Sequence, residues 1–514
     1  MYLLGIDIGT SGTRAVLFDP AGQAVAAATA AYPLSQPRAG WAEQDPEDWW
    51  EATVRTVREV ITTGNVPAAA IRGIGLSGQM HGLVLLDAAG RSLRPAIIWC
   101  DQRTAAACEE LTETVGRERL LAETANPAVT GFTAAKLLWV RKHEPDIYAR
   151  AAKILLPKDY IRFRLTGEFA TEVSDASGMQ LLNIRERNWS REVLDRLEID
   201  PARLGRVYES PEITGGVSRA AAALTGLAAG TPVAGGGGDQ ACGAVGTGVV
   251  RPGVVSSVIG TSGVVFAATD KVTVDPCGRV HTFCHAAPGT WHVMGVTQGA
   301  GLSLQWFRDN LGESERAAAA HRGVNPYELL TEAADRAQPG CDGLLYLPYL
   351  MGERTPHLDA YARGVFFGLS ARHRKHDLVR AILEGVGFSL KDCLDIIREM
   401  GIAVDEVRAS GGGARSALWR RIQADIFGLP VHTVNSAEGP ALGAALLAGV
   451  GTGVYPSVPA ACAAAVRTEP AERPDAANTE LYSKLHGVYK NLYACLREQF
   501  RRTADILAET DRQG

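Results

Sequence analysis

Four consecutive glycines, Gly235 to Gly238, run directly into a lone carboxylate, Asp239. Glycines allow close approach of backbone and substrate, and a carboxylate beside them is suited to take a proton from an attacking hydroxyl. A little further on stands Gly260-Thr261-Ser262-Gly263, a repeat of Gly9-Thr10-Ser11-Gly12 near the start of the chain. Each GTSG lies between two strand-like runs, so each reads as a hairpin tip whose backbone N–H groups can face an anion. Thr13 follows the first tip, and Asp7 precedes it, where it could hold a metal ion through water. A third glycine group, Gly411-Gly412-Gly413 with Ala414 and Arg415 behind it, sits where a strand gives way to a helix. Such a turn lets a nucleotide lie against bare backbone. Phosphoryl transfer asks a protein for positioning, charge neutralisation by Mg2+ and a base for the attacking hydroxyl, and this set of residues offers all three. No G-x-x-x-x-G-K-[ST] occurs, so the P-loop route to nucleotide binding is not used. On local grounds alone, a turn-capping aspartate at 239 and a plain tight hairpin at 9–12 are also compatible with the residues.

These groups need elements to hold them. Residues 2–9 and 13–19 read as strands joined by the first tip, with a third strand at 23–29. Residues 45–62 open as a helix, with Asp45 as N-cap, Pro46 at the first position and Glu47 and Asp48 complementing the positive end. Trp50, Val54, Val57 and Ile61 give it one buried face. A strand at 71–76, the tight segment Ser77 to Gly82 and a strand at 83–87 put Gln79, Met80 and His81 at a strand end. Open α/β sheets place their ligand contacts there; a core methionine and a satisfied histidine fit the pattern equally. Trp99 closes a short strand from Ala96 and is either a flat wall for a sugar or core. Helices follow at 131–143 and 157–165, whose Lys136 and Lys158 read as solvated or structural, with an anion as the alternative partner. In the second half the strand–GTSG–strand pattern returns at 254–259 and 264–267. The copies lie about 250 positions apart, the scale of a whole domain, which favours internal duplication. Helix 374–399 buries Leu383, Val386, Leu390, Leu394 and Ile397, and its Gly385 and Gly387 imply close packing. A strand at 404–409 leads through the third glycine group into a helix with Trp419, Ile422 and Ile426 on one face. Gly439 and Gly443, four apart, again suit close helix approach. The tail from about 478 reads as a polar-faced helix, a surface element or clasp.

At 514 residues the chain is long enough for two large domains. Its net charge of −5 argues against a nucleic-acid partner. Nine scattered cysteines without a C-x-x-C pair fit reduced thiols. His281, Cys284 and His285 invite a metal reading, but the run VHTFCHA fits a strand better. The start lacks a basic region and carries Asp7 early, unlike a signal peptide. The most apolar runs, 219–238 and 439–454, are broken by Gly and Pro and do not read as membrane spans. The expectation is a cytoplasmic protein with no membrane partner.

Several blocks then carry a family resemblance. GFTAAKLLWVRKH (131–143), GVFFGL (364–369) with DLVRAILE (377–384), GIDIGTSGT, WAEQDPEDWW, SGQMHG, LLPKDY, GERTPH and SGGGARS occur in the expected order. On these the chain resembles the FGGY carbohydrate kinases of the actin–hexokinase–heat-shock ATPase superfamily, from about residue 2 to about 455. Within the family the blocks look like those of its xylulose-phosphorylating branch. The resemblance implies an α/β fold of two duplicated ribonuclease-H-like domains around an interdomain cleft. Residues 1–248 would form a sugar-binding domain with the first hairpin and the catalytic aspartate. Residues 249–514 would form a nucleotide-binding domain with the second hairpin, the adenosine loop and the tail helix. Asp239 corresponds to the catalytic base, Met80 and His81 to the sugar-contacting pair, and Trp99 to a sugar wall. Asp7 looks like the Mg2+-associated aspartate. Gly9, Thr10, Ser11, Gly12 and Thr13, with Gly260, Thr261 and Ser262, would face the phosphates of ATP. Gly411, Gly412, Gly413 and Arg415 would approach its adenosine. Gln240 stands where these kinases often have Asn, and Cys100 and Gln102 also depart from the usual pattern. The implied reaction is phosphorylation of D-xylulose by MgATP, with a homodimer compatible. Kinases for other sugars of the family and a non-catalytic ATP or sugar switch are the alternatives.

Overall fold

Two hairpins built alike organise the chain. In the computed structural model, which describes residues 1–511, strand Tyr2–Ile8 runs antiparallel to Gly12–Phe18 across the first GTSG and parallel to Ile71–Gly78 on its other side. Strand Gly253–Ile259 likewise runs antiparallel to Gly263–Thr269 across the second GTSG and parallel to Val404–Ser410. The duplication expected from four repeated residues is therefore present in sheet topology. The two tips differ by one residue: Ile8 pairs with Thr13, whereas Ile259 pairs with Gly263.

The chain divides into two compact units. The first takes Met1–Arg251, Ala268–His292 and Glu438–Arg467; the second takes Pro252–Ala267, Val293–Ala437 and the chain from Thr468 onward. Compared with spans of 1–248 and 249–514, the first unit reclaims two segments from the second half of the chain. In its main sheet the strands follow the order Ile213–Gly216, Pro232–Ala234, Ile71–Gly78, Tyr2–Ile8, Gly12–Phe18, Ala24–Ala31. In the second unit Gly263–Thr269, Gly253–Ile259, Val404–Ser410 and Val431–His432 lie side by side.

Strand Tyr2–Ile8 buries Leu3 and Leu4 as well as Ile6 and Ile8, the near-continuous apolar run of a strand covered on both faces. One cover is the reclaimed helix Gly439–Gly451. Glycines make that approach possible. A Cβ on Gly5 would lie 1.9 Å from the carbonyl oxygen of Ala441, and one on Gly75 1.8 Å from that of Ala444. The same helix meets helix Asp239–Gly246 through glycine on both sides: a Cβ on Gly443 would lie 1.8 Å from Cys242 O, and one on Gly246 1.9 Å from Gly439 O. Gly443 thus does what the spacing suggested, whereas a Cβ on Gly439 would meet nothing nearer than Gly243 Cα at 3.8 Å, so the glycine needed at that end of the contact is Gly246. Gly385 and Gly387 also pack closely in helix Lys375–Glu399, where added Cβ atoms would meet Tyr346 O at 2.2 Å and Ile426 Cδ1 at 2.6 Å.

Helix Pro46–Thr63 starts as expected, with the Asp45 side chain accepting from Glu47 N. Its buried apolar residues include Trp49, Trp50, Val57 and Val60, while Val54 and Ile61 are half-buried beside them. Asp45→Ala should cost about 1 kcal/mol, the usual value of an N-cap, read as a lower urea midpoint at unchanged slope.

The tail helix, Ala476–Asp511, is a clasp. Its inner face carries Tyr482, His486, Tyr489 and Tyr493. Tyr482 Oη donates to Glu384 Oε1 at 2.6 Å, His486 Nε2 lies 2.8 Å from Asp392 Oδ1, and Tyr349 Oη donates to Tyr489 Oη at 3.0 Å. Tyr493 Oη donates to Asp359 Oδ2 at 2.9 Å. Among the described residues no helix is long and apolar enough to cross a membrane, and the nine cysteines are all free thiols.

Candidate active site

Sheet register brings the acidic residues to one level. Gly237 and Gly238 pair with Ser77 and Gly78, and Asp7 pairs with Ser77 from the other side. Asp239, Asp7 and the Gln79–His81 turn therefore emerge at the carboxyl ends of neighbouring parallel strands, the edge where such sheets bind ligands. Asp239 opens helix Asp239–Gly246 and accepts from Gln240 N at 2.7 Å. Burial, with the nearby charge of Asp7 adding to it, pushes its pKa up to about 7. Asp7 Oδ1 accepts from Ser77 Oγ at 2.7 Å. Burial also raises the pKa of Asp7, opposed by the Ser77 hydrogen bond and the charge of Arg14. Arg14 is in turn paired with Glu438 at 2.5 Å.

Met80 and His81 are core-like by exposure, at 4% and 7%, yet Met80 lies against Gly238 beside Asp239, and His81 lies against Gly178. A Cβ on Gly238 would sit 2.7 Å from Met80 Cγ, so only glycine lets Met80 pack beside Asp239. His81 adopts φ 69°, an uncommon conformation for a non-glycine residue that the surroundings must impose. Four contacts impose it. Lys136 Nζ and Thr133 Oγ1 donate to the His81 carbonyl at 2.8 and 3.1 Å. Phe132 stacks on the ring at 4.4 Å. Nδ1 lies 2.9 Å from Gly178 O; a carbonyl only accepts, so Nδ1 carries the hydrogen.

The first hairpin tip is tied to the same turn. Gln79 N donates to Ile8 O at 2.8 Å, and Trp99 Nε1 donates to Thr10 Oγ1 at 2.9 Å. Gln44 Nε2 donates to Thr10 O at 2.7 Å and Gln79 Nε2 to Gln44 Oε1 at 2.8 Å. Trp99 is 37% exposed, so it borders the tip and is not core. Gly9 to Gly12 are accessible, whereas Thr13 is fully buried in the following strand.

Lys136 and Lys158 are completely buried, so neither is solvated. Burial drives the pKa of Lys136 down to about 7. Lys158 Nζ lies 2.8 Å from Asp159 Oδ1, 3.3 Å from Glu172 Oε1 and 3.4 Å from Asp175 Oδ2. This cluster braces the glycine run. Arg162, paired to Asp159, donates to Gly235 O, and Gly238 N donates to Ser174 Oγ, which donates to Glu172. His281, Cys284 and His285 form no metal centre: His281–Cys284 is a buried strand, His285 Nε2 lies 2.9 Å from Val249 O, and no group of three metal-type ligands occurs among the described residues.

In the second unit, the turn after strand Val404–Ser410 has Gly411 at φ 78°, with room for no side chain against Ile259 O. Gly412, Gly413 and Arg415 join Gly260 and Thr261 in lining a cavity of about 490 Å³, within the usual range for a small ligand. Trp419, read from the sequence only as part of a buried helix face, is another wall, while Gly301, Gln305 and Tyr327 had no local signature in the sequence. Backbone N–H groups of helix Ala300–Leu311 brace the hairpin, Gly301 N to Gly260 O at 2.9 Å and Leu302 N to Thr261 O at 3.0 Å. A larger groove of about 650 Å³ in the first unit is lined by Arg91, Arg94 and Arg164. Each of these arginines is already paired with a carboxylate, and none of the expected site residues lines it.

Comparison with known proteins agrees with this geometry. Residues 2–246 match the N-terminal domain of the FGGY family of carbohydrate kinases, and residues 255–452 match its C-terminal domain. A xylulose kinase of Bacillus subtilis (strain 168) is 41% identical over 492 residues, covering 96% of both chains. A gluconokinase of the same organism is 33% identical over 509 residues, covering 98% of each. The crystal structure of xylulose kinase from Rhodospirillum rubrum superposes with a TM-score of 0.89 at 33% identity, covering 98% of this chain and 100% of the other. The two-domain actin/hexokinase-type fold is thereby established. With both family domains matched in order along one chain, this protein is a sugar kinase and belongs to the FGGY family of carbohydrate kinases.

Proposed function

We propose that the protein transfers the terminal phosphate of ATP to D-xylulose, giving D-xylulose 5-phosphate and ADP, with Asp239 as the general base. The observation that carries the reading is the single level at which Asp239, Asp7, Met80 and His81 meet. A carboxylate with a pKa of about 7 is matched to proton abstraction near neutrality. It takes the proton of the 5-hydroxyl as that oxygen attacks the terminal phosphorus, the bond to the bridging oxygen breaks, and ADP departs. Met80 and His81 position the sugar, and Trp99 borders it. Gly9 N and Gly260 N close the two tips by donating to Gly12 O and Ser262 O, and in this reading the remaining N–H groups of each tip face phosphate oxygens and oppose their spread charge. Adenosine lies in the cavity floored by Gly412 and Gly413.

Sugar kinases of this family use ATP and usually a divalent metal. Asp7 suits Mg2+: it stands one residue before the end of its strand and engages Ser77 through one oxygen, and no cluster of three protein ligands accompanies it among the described residues. That is the donor set of an ion held by one carboxylate, waters and substrate phosphates. Bound there, Mg2+ would neutralise phosphate charge.

His81→Ala should raise the KM for sugar about 10-fold, the worth of a polar contact, and leave the KM for ATP unchanged in steady-state assays. The substrate itself is tested by sugar-dependent ADP release across D-xylulose, D-ribulose, L-ribulose and gluconate. D-xylulose should give the highest kcat/KM. A higher value for gluconate would move the chain to the activity named for its gluconokinase relative, and ADP release indifferent to every sugar would overturn the reading.

A further inference from the structure

The block Gly352-Glu353-Arg354-Thr355-Pro356-His357 takes no part in the mechanism above, yet it is fastened to strand Trp291–Thr297, whose last residue packs against the second phosphate hairpin. Thr355 N donates to Val296 O at 2.9 Å, and Val296 N to Thr355 Oγ1 at 3.1 Å. Thr297 Oγ1 donates to Glu353 Oε2 at 2.6 Å, and Gln298 N to Glu353 Oε1 at 2.8 Å. On its other side Thr297 touches the hairpin: a Cβ on Gly263 would lie 2.6 Å from Thr297 Cγ2 and 3.1 Å from Ala300 Cβ. One side chain therefore separates Glu353 from the hairpin, and Arg354 is the next residue.

Glu353 is only 3% exposed, and its oxygens already accept from Thr297, Gln298 N, Ser389 Oγ and the Arg354 main-chain N–H. The carboxylate is thus spent on holding the loop. The Arg354 guanidinium is half-buried, and among the described residues it has no hydrogen-bonded acceptor or carboxylate within ion-pair distance. A guanidinium withdrawn from water without an acceptor is unfavourable; its planar fork of donors matches a phosphoryl group in geometry and charge. The anion this reaction brings to the neighbouring hairpin is a phosphoryl group.

We infer that Arg354 binds the transferred phosphoryl group, with the Glu353 network setting the loop that presents it. The inference rests on the sugar-kinase reading. The same chemistry has two sources, the terminal phosphate of the nucleotide and the 5-phosphate of the product, and binding measurements separate them.

The test uses the full chain and its Arg354→Met and Arg354→Lys variants, with calorimetric titration of ADP, of a non-hydrolysable ATP analogue and of D-xylulose 5-phosphate. Arg354→Met should lower kcat ~10²–10³-fold, the loss typical of one charge-stabilising donor. It should weaken the ATP analogue at least about 10-fold and leave ADP unchanged if the terminal phosphate is held. Weakened product binding with nucleotide affinities unchanged would place the contact on the sugar phosphate. Arg354→Lys should retain part of the affinity, and free guanidinium should restore part of the kcat of Arg354→Met, a rescue that a purely structural arginine would not show. Equal weakening of ADP and the analogue, or all affinities and kcat within about threefold of wild type in a folded variant, would overturn the assignment. Because the nucleotide titrations need no turnover, they decide the role of Arg354 even if D-xylulose proves not to be the substrate.

Discussion

Asp239→Asn lowers kcat at least ~10²-fold, the lower range for loss of a general base, while the affinities for sugar and nucleotide stay near wild type. Asparagine keeps the size of the side chain and its contact to Gln240 N, so the helix start is preserved and the lost function is proton abstraction. The wild-type rate should show an acid limb as well, because a base whose pKa is about 7 is progressively protonated below that pH.

The same substitution should stabilise the fold. In the folded protein Asp239 has a pKa of about 7 against an ordinary 3.8, so the folded state holds this proton more tightly than the unfolded chain. Folding stability contributed by the residue is therefore undiminished below pH 3.8, falls as pH rises from 3.8 to 7, and stays low above 7. The penalty is at most about 4 kcal/mol for a shift of this size. In metal-free buffer Asp239→Asn should melt above wild type at pH 8, with the difference closing as the pH approaches 4. A wild-type protein that melts higher at pH 8 would contradict the burial argument.

The largest structural effect is expected at Gly443. A valine there would drive its Cβ to 1.8 Å from Cys242 O, in the backbone of the helix that begins with Asp239. Two backbones face each other with no flexible side chain to yield, so the cost should be ~3 kcal/mol or more, seen as a large fall in the urea midpoint. Gly487, exposed in the tail helix with no atom within 4 Å of an added Cβ, is the matched control. Gly487→Ala should stabilise by ~0.5–1 kcal/mol through helix propensity. If both substitutions behaved alike, close packing would not be the reason for Gly443.

Features set by near neighbours along the chain are legible in the amino-acid sequence. The two GTSG hairpins, the Asp45 cap, the glycine-to-helix turn before Trp419 and the close-packing Gly443 all depend on short spacings. What stays hidden there depends on distant partners. Helix Gly439–Gly451 joins the first unit because Gly5, Gly75 and Gly246 leave room for the backbone of Ala441, Ala444 and Gly439, and nothing local names those partners. Lys158 is buried because Glu172 and Asp175 are folded around it, so its charge alone pointed to solvent. Met80 and His81 fit core and ligand readings equally in sequence, since the decisive contacts, Gly238 and Gly178, lie far along the chain. The cavity residues Gly301 and Gln305 come from one helix of the second unit and Tyr327 from another, and they carry no motif. One equivalence is also concealed in the sequence: Ser77-Gly78-Gln79 and Ser410-Gly411-Gly412 close the parallel partner strands of the two hairpins. In the proposed mechanism the first turn serves the sugar and the second the nucleotide.

The central claim, base-assisted transfer to D-xylulose at Asp239, is tested most directly by phosphorus NMR of MgATP and D-xylulose incubated with wild type and with Asp239→Asn. Wild type should convert the terminal phosphate of ATP into a sugar phosphate monoester at the 5-position in step with ADP, and the variant should form it at least ~10²-fold more slowly. A variant that forms the ester at the wild-type rate, or a wild type that yields only inorganic phosphate, would contradict the account.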